Sequence, residues 1–143
     1  MKIGLASDHA GYALKQFVKE YLTTKGLEYE DFGCYDEQSC DYPDFAHKLG
    51  EAIDGGVLLQ GIAICGSGEG ISMTLNKHPK VRAALVWTVE IASLSRQHND
   101  ANVLVMPGRF IDNDMARQIM DSFFTTDFEG GRHIKRVEKI AIK

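Results

Sequence analysis

Five short apolar runs punctuate the 143-residue chain, and a stretch of helical periodicity follows each one. The runs are Ile3–Ala6, Gly61–Cys65, Val81–Val86 and Asn102–Met106, with Leu27–Phe32 a weaker second strand that three acids interrupt. Gly61–Cys65 carries no polar side chain, as expected of a strand covered on both faces. After the first run, Leu14, Phe17, Val18, Tyr21 and Leu22 recur at helical spacing over Tyr12–Lys25, with Gly26 as a stop. Asp41-Tyr42-Pro43 starts a second helix that ends near Asp54, before Gly55-Gly56. Further helices are predicted at Ile71–Lys77, Glu90–Gln97, Asp112–Phe124 and, in a basic terminal segment, Arg132–Ile142. Strand–helix alternation repeated five times predicts an α/β three-layer sandwich: an open parallel sheet with helices on both faces. The expected strand order is 2-1-3-4-5, with residues 1–143 forming one domain.

Composition narrows the function. The net charge of −4 is wrong for a general nucleic-acid binder. The charge is uneven, however: residues 132–143 carry +4 and the remainder −8. A cationic tail on an acidic body suits one specific anion or an acidic neighbouring surface. No apolar stretch approaches the ~20 residues of a membrane span. Three cysteines (Cys34, Cys40 and Cys65) and no leader-like start lead us to expect a reducing cytoplasm.

The expected order places the switch point of the sheet between the first and third strands, where such folds bind ligands. The loops there are Ser7-Asp8-His9-Ala10-Gly11 and Gly66-Ser67-Gly68-Glu69-Gly70. The second loop follows a buried strand and opens a helix. Its glycines let the backbone approach a ligand and turn N–H groups toward an oxyanion. It lacks the Gly-Lys-Ser/Thr of a P-loop, and Ile71 stands where a dinucleotide fingerprint needs its third glycine. Cys65 stands at the strand end beside that helix start, a position that favours a thiolate, although most free cysteines only pack. Cys34 and Cys40 lack such neighbours and read as structural. Asp8 and His9 can hold hydroxyls or exchange protons, or Asp8 simply caps a helix with His9 exposed. Arg132 and Arg136, four apart, share a helical face that suits a phosphate. His47 and His78 read as a helix-surface and a loop residue, and the five histidines show no metal-ligand cadence.

Taken together, these segments resemble the type B ribose-5-phosphate isomerase family, which includes isomerases of galactose 6-phosphate and allose 6-phosphate. The resemblance rests on Ser7-Asp8-His9-Ala10-Gly11, Asp41-Tyr42-Pro43, Ile64-Cys65-Gly66-Ser67-Gly68, Gly70-Ile71-Ser72 and Asn76-Lys77. It continues through Ser95-Arg96-Gln97-His98-Asn99-Asp100, Asn102-Val103-Leu104, Glu129-Gly130-Gly131-Arg132-His133 and Arg136-Val137. The pieces follow the family's order from residue 7 to residue 137.

The resemblance implies a Rossmann-like homodimer or tetramer that interconverts an aldose phosphate and its ketose, with neither cofactor nor metal. By its positions, Cys65 is the base, Ser67 and the backbone from Gly66 through Gly68 and Glu69 to Gly70 hold the enediolate oxygen, and His98 assists ring opening. Asp8, His9, Tyr42 and Asn99 contact substrate, and Arg109, Arg132 and Arg136 bind phosphate. Ser67 replaces a frequent threonine and keeps the hydroxyl. Glu69 replaces a neutral residue. An acid turned into the nest would raise the Cys65 pKa, so its side chain is expected to point to solvent. Some relatives place a glutamate base where Ile71 stands here, which favours Cys65. The expected substrate is ribose 5-phosphate. The alternatives are a six-carbon sugar phosphate or a non-catalytic phosphate sensor.

Topology adds one expectation. His98 and Asn99 lie between the fourth helix and the fifth strand, at the amino end of the sheet and opposite Cys65. They are therefore expected to reach a partner's site, with the basic segment 130–143 packing on that partner.

Overall fold

Parallel strands form the centre of the molecule, and two separate apolar layers cover them. The computed structural model describes all 143 residues. The strands are β1 (Lys2–Ser7), β2 (Glu28–Asp31), β3 (Gln60–Cys65), β4 (Ala83–Leu85) and β5 (Val103–Pro107). The helices are α1 (Tyr12–Thr24), α2 (Tyr42–Asp54), α3 (Glu69–Leu75), α4 (Val89–Gln97), α5 (Asn113–Thr125) and α6 (Arg132–Glu138). Every predicted element is present, with ends moved by a few residues. The largest change is α6, which stops at Glu138 rather than Ile142. No helix is long and apolar enough to cross a membrane.

The five-stranded sheet is wholly parallel, but its order is β2-β1-β3-β5-β4, not the expected 2-1-3-4-5. Burial explains the exchange. All five residues of β5 are buried, whereas the three of β4 are only half-buried, and the more apolar strand takes the central place. The exchange has a consequence for the helices. Right-handed crossovers that step in opposite directions along a sheet lie on opposite faces. Because β4 to β5 steps backwards, α4 joins α1 and α5 instead of α2 and α3.

The two cores record this division. Ile3, Leu5, Ile62, Ile64, Leu104 and Met106 face α1, α4 and α5. The intervening residues Ala6, Ala63, Cys65, Val103 and Val105 face α2 and α3. The period-two alternation of a strand assigns each side chain its layer. On the α2 side the strands are small-residued for a reason. A methyl group at Gly61 would sit 2.9 Å from Leu49, so α2 packs directly on the backbone there.

Candidate active site

Ser7 of β1 pairs in register with Ile64 of β3, so the loops after these strands emerge side by side. The loop after β5 joins them: Gly108 and Arg109 donate their N–H groups to the carbonyls of Cys65 and Gly66 at 2.9 and 3.0 Å. Three strand ends thus form one crevice, at the switch point read from the sequence.

At the floor lies Cys65, 4 % exposed, among Ala6, Ala63, Ile71 and Val105. Above it the chain turns through Gly68 at φ +78°, the left-handed region open to glycine, and enters α3. The N–H groups of Gly66, Ser67, Gly68, Gly70 and Ile71 donate to no acceptor in the chain. Glu69 donates its N–H to Ser67 Oγ at 3.2 Å, which leaves the Ser67 hydroxyl hydrogen free to donate outward. The Glu69 side chain is exposed, as expected. The result is a concave array of unused donors beside a sulfur.

The flanking groups are held in place. Asp8 is 7 % exposed, and its Oδ1 accepts the Gly11 N–H at 3.0 Å, bracing the first loop rather than capping α1, whose N-cap is Gly11. His9 is half-buried rather than exposed, and its Nδ1 accepts the Cys40 N–H at 3.2 Å. A neutral His9 therefore carries its hydrogen on Nε2, available to a ligand. Cys40 has a role the sequence did not show: it fixes the His9 ring. Its thiol pKa is pushed up, first by burial and then by the neighbouring Cys34 and Asp8. Tyr42, at the start of α2, presses on Gly70: a methyl group there would lie 2.6 Å from the tyrosine hydroxyl. Arg109 lies over Gly66, where the same substitution would meet a guanidinium nitrogen at 3.2 Å.

Two residues around the crevice went unread in the sequence. Ser67, Glu69, Leu85, Trp87, Pro107 and Phe110 line a cleft of about 440 Å³. Trp87 and Phe110 follow the ends of β4 and β5 and are 51 % and 75 % exposed. Large apolar side chains just beyond strand ends were the available signal, because such loops converge on the carboxyl edge of the sheet.

His98, Asn99, Arg132 and Arg136 lie elsewhere. His98 is the C-cap of α4, before β5 begins, and Asn102 O accepts the Gly61 N–H at the opposite edge of the sheet. From that edge to Cys65 is four strand residues, roughly 13 Å at ~3.3 Å per residue. His98 stacks on His133 of α6, with centroids 4.4 Å apart and planes 13° apart. Arg132 and Arg136 are exposed on α6.

Comparison with known proteins identifies the family. Residues 3–140 match the ribose/galactose isomerase family model. The chain belongs to that family. It is 40% identical over 139 residues to ribose-5-phosphate isomerase B of Escherichia coli, covering 97% of this chain and 93% of that one. The ribose-5-phosphate isomerase B of Clostridium thermocellum superposes with a TM-score of 0.96 at 46% identity, covering 98% and 95% of the two chains. The Mycoplasma genitalium isomerase with bound ribulose 5-phosphate gives 0.92 at 42% identity, covering 97% and 93%. Fold and family are thus shown along nearly the whole chain.

Proposed function

We propose that this isomerase interconverts ribose 5-phosphate and ribulose 5-phosphate through an enediolate, with Cys65 as the base. The supporting observation is the pairing of that sulfur with five unclaimed backbone N–H groups and the free Ser67 hydroxyl. Isomerisation moves a proton from C2 to C1. It needs a base on the carbon side and donors aimed at the oxygen that gains charge. The thiolate takes the C2 proton, the amides and Ser67 hold the negative oxygen, and the thiol returns the proton to C1. A hydroxyl proton moves from O2 to O1 meanwhile, so nothing is oxidised or reduced overall.

Asp8, Tyr42 and the His9 Nε2–H hold the sugar hydroxyls, and Arg109 takes the phosphate from above Gly66. Phosphate binding there orients the reacting carbons over the sulfur. His98 and Asn99, together with Arg132 and Arg136, act in the site of a partner chain. His98 there opens the furanose by giving a proton to the ring oxygen as the anomeric hydroxyl loses one. The basic segment 130–143 packs on that partner. The ribulose 5-phosphate bound by the Mycoplasma relative and the name of the Escherichia coli relative favour the five-carbon substrate.

The test follows ribulose 5-phosphate formation with chelator present, beside allose 6-phosphate and galactose 6-phosphate. Turnover greatest with ribose 5-phosphate is expected. Preference for a hexose phosphate replaces the substrate, and binding of all three without turnover replaces the enzyme with a sensor.

A further inference from the structure

Between α4 and α6, three potential ligand atoms gather outside the crevice. His98, Glu129 and His133 each offer one ligand atom, and the three atoms lie within 4.8 Å of one another. Glu129 Oε1 is 3.6 Å from His133 Nε2 and 3.9 Å from His98 Nε2. These separations are too long for hydrogen bonds. They are close to the ~3.3 Å between neighbouring ligands of a tetrahedral ion with bonds of about 2.0–2.1 Å. His133 is 6 % exposed, yet its ring makes no hydrogen bond within the chain. The ring is thus turned toward two further donor groups with no hydrogen-bond partner of its own in the chain.

We infer that His98, Glu129 and His133 bind a divalent ion of zinc's class, and that the ion withholds His98 from catalysis. Two imidazoles and one carboxylate are a zinc donor set, with a fourth position open to water or an anion. The rings are now stacked, so their lone pairs run side by side. Binding turns one ring out of the stack, and His98, 38 % exposed at its side chain, is the one free to turn. Arg132 and Arg136 oppose a cation, and Glu129 offsets only part of their charge, so the site is for a readily exchanged ion. A hard ion such as Mg²⁺, which prefers oxygen, is excluded by the donors.

Only the inhibitory half rests on the proposed role of His98, and the experiment separates the halves. Full-length protein, stripped with chelator and reduced, is titrated with Zn²⁺ against a chromophoric chelator and, in parallel, with Co²⁺ for its ligand-field absorption. One ion per chain is expected, retained in Cys65→Ala and absent with Mg²⁺. Glu129→Gln, at an exposed side chain, and His133→Asn should each weaken binding by roughly tenfold or more. Unchanged affinity in Glu129→Gln, or zinc lost with Cys65→Ala, overturns the site. With the site occupied, turnover of ribose 5-phosphate should fall and chelator should restore it. Binding at the cluster with turnover intact overturns the inhibitory half while leaving the site standing.

Discussion

At the residue scale the proposal assigns separate tasks to neighbouring atoms, and single substitutions can separate them. Cys65→Ala removes the base and leaves the amides. We expect kcat to fall by about 10²–10⁴-fold with KM little changed, the usual contribution of a positioned base. Near-native turnover in that variant removes the sulfur from the mechanism. Ser67→Ala deletes one donor to the developing oxyanion and should cost roughly 10²–10³ in kcat. A loss expressed only in KM would make Ser67 a ground-state contact. Gly70→Ala acts through a neighbour, since its methyl group meets the Tyr42 hydroxyl. That change should raise KM for the sugar phosphate, and crystallography should show the tyrosine displaced.

Among the elements, β2 depends on charge more than on apolar packing. Asp31 at its end receives Lys15 at 2.7 Å and Lys19 at 2.6 Å, and Lys15 also donates to the Cys34 carbonyl. Burial pushes the Asp31 pKa up, but hydrogen bonds from Lys15, Lys19 and the Gly33 N–H outweigh it and hold the carboxyl below its usual 3.8. Burial lowers the pKa of Lys15, with Asp31 only partly compensating. A depressed carboxylate contributes stability that is complete above its unfolded pKa and lost as pH falls through the folded one. Denaturant midpoints should therefore decline below about pH 4, and that part of the decline should vanish in Asp31→Asn. The same variant leaves Lys15, 1 % exposed, without its counter-charge and should cost about 3–5 kcal/mol in denaturant unfolding. A cost under 1 kcal/mol would show that the Cys34 carbonyl and water suffice for Lys15. This triad was not legible in the sequence: Lys15 shares the buried face of α1 with Val18 and Leu22, but no local pattern ties it to Asp31, sixteen residues away. The elements themselves were legible from periodicity. The order of β4 and β5 was not, because both read as apolar runs and only their burial in the sheet distinguishes them. Likewise, the loops of the crevice showed in their glycines, whereas the hold of Cys40 on His9 spans 31 residues and left no local pattern.

For the molecule as a whole, the distribution of candidate residues is the argument for a shared site. One edge of the sheet gathers Cys65, Ser67, Asp8, His9, Tyr42 and Arg109. His98 and Asn99 lie at the other edge, with Arg132 and Arg136 exposed on α6 beside His98. A single chain does not unite them, because parallel strands separate the loops at their two ends by their own length. A two-fold dimer does so twice, if each His98 edge meets the crevice of the other chain. The prediction uses two inactive variants, Cys65→Ala and His98→Asn. Each alone should lose most turnover of ribose 5-phosphate. Co-refolded in equal amounts, half of the dimers are mixed, and in each of these one site carries both substitutions while the other carries neither. About a quarter of native activity should therefore return, measured as ribulose 5-phosphate formed per chain. Activity that stays at the level of the separate variants, in a mixture shown by mass spectrometry to contain mixed dimers, would place His98 and Cys65 in the same chain's site or remove His98 from the reaction.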